Sequence, residues 1–123
     1  MPVRIRSKTR LQGSVTPSAL NVETDVINLP DQYDDYIVEG YISLRNMATG
    51  DAVIVRLYMA VDGVTQDKVD ELMTSGPQDP AVIRVPAATI PYNGKFRVTI
   101  TQTAGSTLKS FPYVFIVQVT EVI

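Results

Sequence analysis

The sequence predicts an all-β protein, folded as an antiparallel β-sandwich of about seven to eight strands. Apolar and polar residues alternate with a period of two along several segments, as they do in strands that bury one face. Turn-forming pairs, above all Asp62-Gly63 and Asn93-Gly94, separate these segments. The turn signals recur about every 8–12 residues, which is the strand spacing of sandwiches and barrels. Both pairs predict tight turns with the glycine at positive φ.

The strands themselves are predicted from the alternation. It is clear at residues 36–46, 52–61, 95–102 and 113–122, and weaker at residues 21–29 and 81–85. The last of the clear segments is apolar on both faces, which predicts a central strand or one that is covered on both sides. Residues 64–74 fit either a short helix or a strand. Because Asp62-Gly63 would turn the preceding strand straight back, a strand is favoured there.

Composition excludes several classes of catalyst. The chain has 123 residues, the size of one domain, and contains neither cysteine nor histidine. Disulfides, thiolate nucleophiles, cysteine-based metal sites and Ser–His–Asp catalysis are therefore impossible. We expect a protein that is not an enzyme and that carries no cofactor and no metal. The acids within residues 31–39 and 67–71 match no EF-hand spacing, and they predict solvated surface rather than a calcium site.

The N-terminal segment is strongly basic. Arg4, Arg6, Lys8 and Arg10 give the first ten residues a charge of +4, while the remaining 7 basic and 13 acidic residues give −6. We divide the chain into residues 1–11, a basic arm or edge strand, and residues 12–123, a single sandwich domain. The arm fits either an edge strand protected by cations or a partner-binding segment. As partner, the acidic body of a neighbouring subunit is favoured over nucleic acid, since the interleaved apolar residues suit a sheet edge.

Tyrosines indicate a second candidate surface. Four of them are expected on outward faces, namely Tyr33, Tyr36, Tyr41 and Tyr58. We expect the strands that carry Tyr41 and Tyr58 to pair. The resulting patch of tyrosine, arginine and isoleucine would suit a protein interface, and ordinary cross-strand pairing on a solvated sheet is the alternative. Its residues are Tyr41, Ile54, Arg56 and Tyr58.

The last strand adds an apolar surface that requires a cover. Val114 and Ile116 lie on its second face, opposite in phase to Phe115. Exposed apolar patches commonly mark protein contacts. The pattern therefore predicts a homo-oligomer that assembles through sheet faces or edges. No apolar run approaches a membrane span or follows the basic N-terminus, so we expect neither a membrane span nor a signal peptide.

Residues 92–100 read Tyr-Asn-Gly-Lys-Phe-Arg-Val-Thr-Ile. This segment resembles the penultimate strand of immunoglobulin-like and fibronectin-like domains, and single jelly rolls share the pattern. In style, the chain resembles small β-sandwich structural proteins of archaeal or bacterial viruses. The resemblance implies an immunoglobulin-like or jelly-roll sandwich that serves as a coat, decoration or tail component in a virion or extracellular assembly. The alternative is a recognition module that binds carbohydrate or protein through the loops at residues 31–36 and 76–80.

Overall fold

A computed structural model describes residues 2–123, and within that range it contains eight strands and no helix. The strands are β1 (Val3–Val15), β2 (Thr24–Leu29), β3 (Tyr36–Ser43), β4 (Ala52–Ala60), β5 (Asp67–Ser75), β6 (Val82–Ile90), β7 (Lys95–Ala104) and β8 (Phe111–Val122). The ambiguous segment at residues 64–74 is therefore a strand, as favoured. The all-β prediction is confirmed.

The strands form two four-stranded antiparallel sheets. Sheet I has the order β1-β8-β3-β6, and sheet II has the order β2-β7-β4-β5. Each connection crosses from one sheet to the other except the β4–β5 hairpin. Eight strands that alternate between two sheets in this order form a jelly roll. The sandwich prediction is thus confirmed, and of the two topologies left open by the sequence, the strand order is that of the jelly roll.

The core lies between the inward faces of the two sheets. Its largest fully buried side chains include Tyr36, Phe111 and Phe115 of sheet I and Ile100 of sheet II. β8 lies between β1 and β3, which confirms the prediction of a central last strand. The prediction that Tyr36 faces outward is wrong, because Tyr36 shares its phase with the buried Val38. Its hydroxyl donates a hydrogen bond of 3.1 Å to the carbonyl oxygen of Gly94.

The two predicted tight turns differ from expectation. Gly63 has φ +80°, as predicted. Its loop is wider, however, because β4 ends at Ala60 and β5 begins at Asp67. The Asp62 carboxylate holds that loop by accepting the backbone N–H groups of Val64 and Thr65, at 2.9 and 2.8 Å.

At the second turn, the left-handed residue is Asn93, with φ +74°, and not Gly94. The turn joins β6 of sheet I to β7 of sheet II, so it is a crossing and not a hairpin. Gly94 is required there for space instead. A Cβ atom on Gly94 would lie 2.7 Å from Cγ2 of Ile90 and 2.9 Å from the carbonyl oxygen of Pro91.

Candidate assembly surfaces

The outward face of sheet I carries an apolar patch. Val38, Gly40 and Ile42 of β3 are buried, so the alternate residues of that strand face outward. Tyr41, which is 49% exposed, lies opposite Val114 of β8. The outer patch is defined by the apolar residues Ile37, Tyr41, Val114 and Ile116. Glu39 lies in the same phase, opposite Ile116, and places one carboxylate among them.

Cations border this patch along β1. Arg10 lies directly opposite Ile116, and Lys8 lies opposite Gln118, so both cations share the outward face of sheet I. Both side chains are exposed. Within residues 2–123, neither lies within 4.0 Å of a carboxylate oxygen. A partner that covers the outer patch would therefore meet two unpaired positive charges at its margin.

A β-bulge divides the basic segment into two pairs. The register between β1 and β8 shifts between Ile5 and Ser7, and a bulge exchanges the faces to which later residues point. Arg4 consequently reaches Glu121, with 2.6 Å between Nε and Oε1, and Arg6 reaches the same carboxylate at 3.6 Å. Arg6 also lies over the ring of Tyr33, 4.4 Å from its centroid. The strict alternation of all four cations that the sequence suggested is thus interrupted.

The predicted pairing of the strands that carry Tyr41 and Tyr58 is wrong. β3 belongs to sheet I and β4 to sheet II, so Tyr41 and Tyr58 lie on opposite outward faces of the sandwich. The chain crosses between sheets in the loop after β3 and pairs β4 with β5 and β7 instead. Ile54, Arg56 and Tyr58 therefore form a separate surface, the outward face of sheet II.

Polar contacts order that second surface. Arg56 donates from Nε to Oε1 of Glu71 at 2.7 Å and lies 3.7 Å from Glu23. The Tyr58 hydroxyl donates to the Glu23 carboxylate at 2.6 Å, and Thr99 donates to the same oxygen. These contacts hold the side chains of Tyr58 and Arg56 in place in the free subunit. A partner that binds there therefore causes a smaller loss of side-chain conformational entropy.

Burial and charge shift the pKa values of this network in opposite directions. Partial burial raises the pKa of Glu23, but the hydrogen bonds from Thr99 and Tyr58, together with the charges of Arg56 and Arg97, outweigh it and leave that pKa lowered. Burial, followed by the hydrogen bond to Glu23, raises the pKa of Tyr58. At neutral pH Glu23 is therefore ionised. Its carboxylate accepts hydrogen bonds from the neutral hydroxyls of Tyr58 and Thr99 and lies beside the cationic Arg56.

Sequence reasoning missed a groove at one side of the sandwich. β5 is an edge of sheet II, β6 is an edge of sheet I, and the cavity between them has a volume of about 270 Å³. Apolar side chains line most of it, and Asp70, Glu71 and Arg84 contribute charges. The apolar lining consists of Val55, Leu57, Leu72, Ile83, Val85 and Pro86. The acids of residues 67–71, interpreted from sequence as solvated surface, include two that border this groove.

Comparison with known proteins identifies relatives of the fold alone. No family model and no curated protein matches the chain. A chain from Bacillus endospore appendages, which form disulfide-linked pili, is 15% identical with a TM-score of 0.58, over 94% of this chain and 88% of that one. A chain of the infectious bursal disease virus T13 particle is 14% identical with a TM-score of 0.53, over 95% of this chain and 31% of the viral one.

A chain of the VP2 subviral particle of the same virus is 13% identical with a TM-score of 0.50, over 95% of this chain and 33% of the viral one. This protein therefore spans about a third of the length of the viral chains, and most of the length of the pilus chain. Within residues 2–123, no helix has the length and hydropathy needed to cross a bilayer.

Proposed function

We propose that this chain is a non-enzymatic structural subunit that self-associates into a coat, decoration or tail component of a virion or other extracellular assembly. The outer patch supports the proposal most strongly, because it is a mainly apolar surface, interrupted by Glu39, on a sandwich whose core is already complete. The jelly roll is a frequent fold of capsid domains, and the structural neighbours come from a pilus and from viral particles.

The composition of the outer patch suits a specific contact. Tyr41 offers a rigid ring with a polar hydroxyl, and tyrosine is enriched among the residues that dominate binding energy. Val114 and Ile116 supply apolar area beside it, and Lys8 and Arg10 form a charged margin. Apolar and aromatic side chains beside a polar rim are typical of protein interfaces. The carboxylate of Glu39, which lies among them, would require a cation or a hydrogen-bond donor from the partner.

Assembly of this protein would use no disulfide. The Bacillus appendages are disulfide-linked pili, whereas this chain has no cysteine. Complementary surfaces must then supply all of the binding energy. Both outward faces are available, so we propose the face that carries Ile54, Arg56 and Tyr58 as a second contact surface. Residues 1–11 serve as the arm of the subunit and residues 12–123 as its body.

Nucleic acid is a weaker candidate for the partner of the arm. Arg4 and Arg6 already contact Glu121, which leaves Lys8 and Arg10 as the two cations of the arm that form no ion pair with another described residue. Two cations neutralise about two phosphates and give weak, salt-sensitive binding. An acidic surface on another subunit demands less charge and also uses the apolar residues of the arm.

The proposal is tested by the mass of the purified protein in solution. Light scattering of the wild type should show a homo-oligomer. Tyr41→Lys should lower the mass, because it places a charge in the outer patch. Tyr92→Lys is the matched control, since Tyr92 is also exposed, at 58%, but lies in the β6–β7 loop. A monomeric wild type that binds carbohydrate or protein only when such a ligand is added would favour the recognition-module alternative.

A further inference from the structure

The free edge of β5 has the features of an acceptor for another strand. β5 ends sheet II, so one side of its backbone has no strand partner within residues 2–123. Unpaired edges readily template pairing with another chain. β5 also exposes apolar side chains, with Val69 at 60% and Met73 at 66% exposure. The same edge carries four charged residues, Asp67, Lys68, Asp70 and Glu71, and a bulge opposite Leu57 and Tyr58. Charges and bulges discourage indiscriminate pairing, so this edge would accept only a strand of complementary charge.

The charge on β5 selects the kind of strand that would fit. Asp67 lies opposite Met59 and Asp70 lies opposite Leu57 in the register with β4. Met59 and Leu57 are two residues apart on one strand, so both carboxylates lie on the same face. Neither forms an ion pair with another described residue. The acceptor edge therefore presents two unpaired acids at about a two-residue spacing, roughly 6.7 Å.

β1 presents the complementary pattern. It is the edge of sheet I, with thirteen residues and nearly all of them exposed. Lys8 and Arg10 are two residues apart on one face and lack ion pairs in the described chain, so their spacing matches that of Asp67 and Asp70. Val3 and Ile5 are exposed apolar residues on the same strand. An added β1 strand would thus match both the charge and the apolar character of the β5 edge.

We propose that β1 of a second copy adds to the free edge of β5 and closes the mouth of the β5–β6 groove. Lys8 and Arg10 of the donor then lie beside Asp67 and Asp70 of the acceptor. The inference rests on the proposed self-assembly and adds an edge-to-edge contact to the two outward faces proposed above. β5 lies beside β6, and β1 lies beside β2 at the other side of the sandwich. Because the donor and acceptor edges are on opposite sides, the contact is heterologous, and its repetition produces a ring or a filament instead of a closed two-fold dimer.

The other edge of sheet II is β2, which also has acids beside it but is a poorer acceptor for a basic strand. β2 is only six residues long. Its acid Asp25 is already paired with Arg97, at 2.5 Å. Glu23, just before β2, is likewise occupied by Tyr58, Thr99 and Arg56. A basic strand that docked there would have to displace these contacts, whereas the acids of β5 are available.

A charge exchange tests the pairing directly. The acceptor variant Asp67→Lys/Asp70→Lys and the donor variant Lys8→Glu/Arg10→Glu should each lose higher-order assembly in sedimentation velocity at low salt. The double exchange, with all four substitutions in one chain, should restore it. A matched control, Asp31→Lys/Asp34→Lys, makes the same change of net charge in the β2–β3 loop and should leave assembly intact.

Circular dichroism of each variant separates lost assembly from lost folding. If the acceptor variant and the donor variant each lose assembly while folded, and the variant with all four substitutions recovers it, the β1–β5 contact is supported. Assembly that persists in the folded single exchanges overturns the β1–β5 contact while leaving self-assembly in place. Failure of a folded double exchange to recover also overturns it. A wild type that never assembles overturns the contact and the proposed function together.

Discussion

Gly40 lies directly beneath the ring of Phe115, its partner across the β3–β8 pair of sheet I. A Cβ atom at Gly40 would overlap Cδ2 of Phe115 and the carbonyl oxygen of Val114. The glycine therefore leaves room for the ring of Phe115 close to the backbone of β3, in the middle of sheet I. Any side chain at this position must move the ring or separate the two central strands.

Replacement of Gly40 by alanine should destabilise the fold. Overpacking of a tight core costs about 1–3 kcal/mol, and the rigid backbone contact at Val114 favours the upper part of that range. Gly13→Ala is the control, because its Cβ would meet only the tip of Tyr113, 3.3 Å from the hydroxyl. We expect that change to stay within about 0.5 kcal/mol. Urea unfolding measures both, and equal free energies of unfolding for the two variants would contradict the packing described.

The β6–β7 turn depends on the residue type at Asn93. Its φ of +74° is tolerated by asparagine and glycine but not by β-branched residues. Asn93→Val should lower the free energy of unfolding by about 1–2 kcal/mol, whereas Asn93→Gly should be nearly neutral. Thermal unfolding of both variants checks this. A tolerated valine would mean that the turn does not hold a left-handed residue.

The buried hydroxyl of Tyr36 should contribute to stability through its bond to Gly94. Tyr36→Phe keeps the ring but removes the donor, which should cost about 0.5–1.5 kcal/mol. Urea unfolding at neutral pH measures this cost. A stability equal to that of the wild type would show that the carbonyl of Gly94 has another partner.

Tyr36 should also make the protein sensitive to alkali. Burial raises the pKa of its hydroxyl from 10.0 to about 12. The unfolded chain therefore loses this proton first, and stability falls between about pH 10 and 12. The Tyr36→Phe variant should show a shallower loss over that window. Parallel pH curves for the two proteins would contradict the burial of an ionisable group at this position.

Glu23 should make the stability of the protein fall at acid pH, whereas Tyr36 makes it fall at alkaline pH. Its pKa is lowered from the ordinary value of 4.5 because, although burial opposes ionisation, Thr99, Tyr58 and Arg56 stabilise the carboxylate. Its contribution is complete above pH 4.5 and is lost as the pH falls through the lowered pKa. Glu23→Gln should cost about 1 kcal/mol at pH 7, after allowance for partial exposure. At pH 3 the wild type and the variant should approach each other, and a constant difference between pH 7 and pH 3 would refute the charged network.

Alternation predicted the strands of this fold because both sheets bury one face and expose the other. The same rule placed Tyr41 outward correctly, and it would have placed Tyr36 inward had its phase with Val38 been followed. The sheet to which each strand belongs could not be read in this way. That choice depends on long-range pairing, so the sequence wrongly joined the strands of Tyr41 and Tyr58.

The candidate surfaces were predictable only in part. The cations of β1 and the apolar phase of Val114 and Ile116 are visible in sequence. The bulge that turns Arg4 and Arg6 toward Glu121 is not, because no glycine or other local signal marks it. The β5–β6 groove is also invisible in sequence, since it exists only where the edges of two different sheets face each other.

The proposed function requires that the folded subunit associate with copies of itself without disulfide links. Sedimentation velocity of the untagged chain over a dilution series, at low and high salt, tests it most directly. Self-association should give species that are multiples of the 13.5 kDa subunit, and these should dissociate on dilution and on addition of salt. A single 13.5 kDa species at every concentration and in both salts would contradict it.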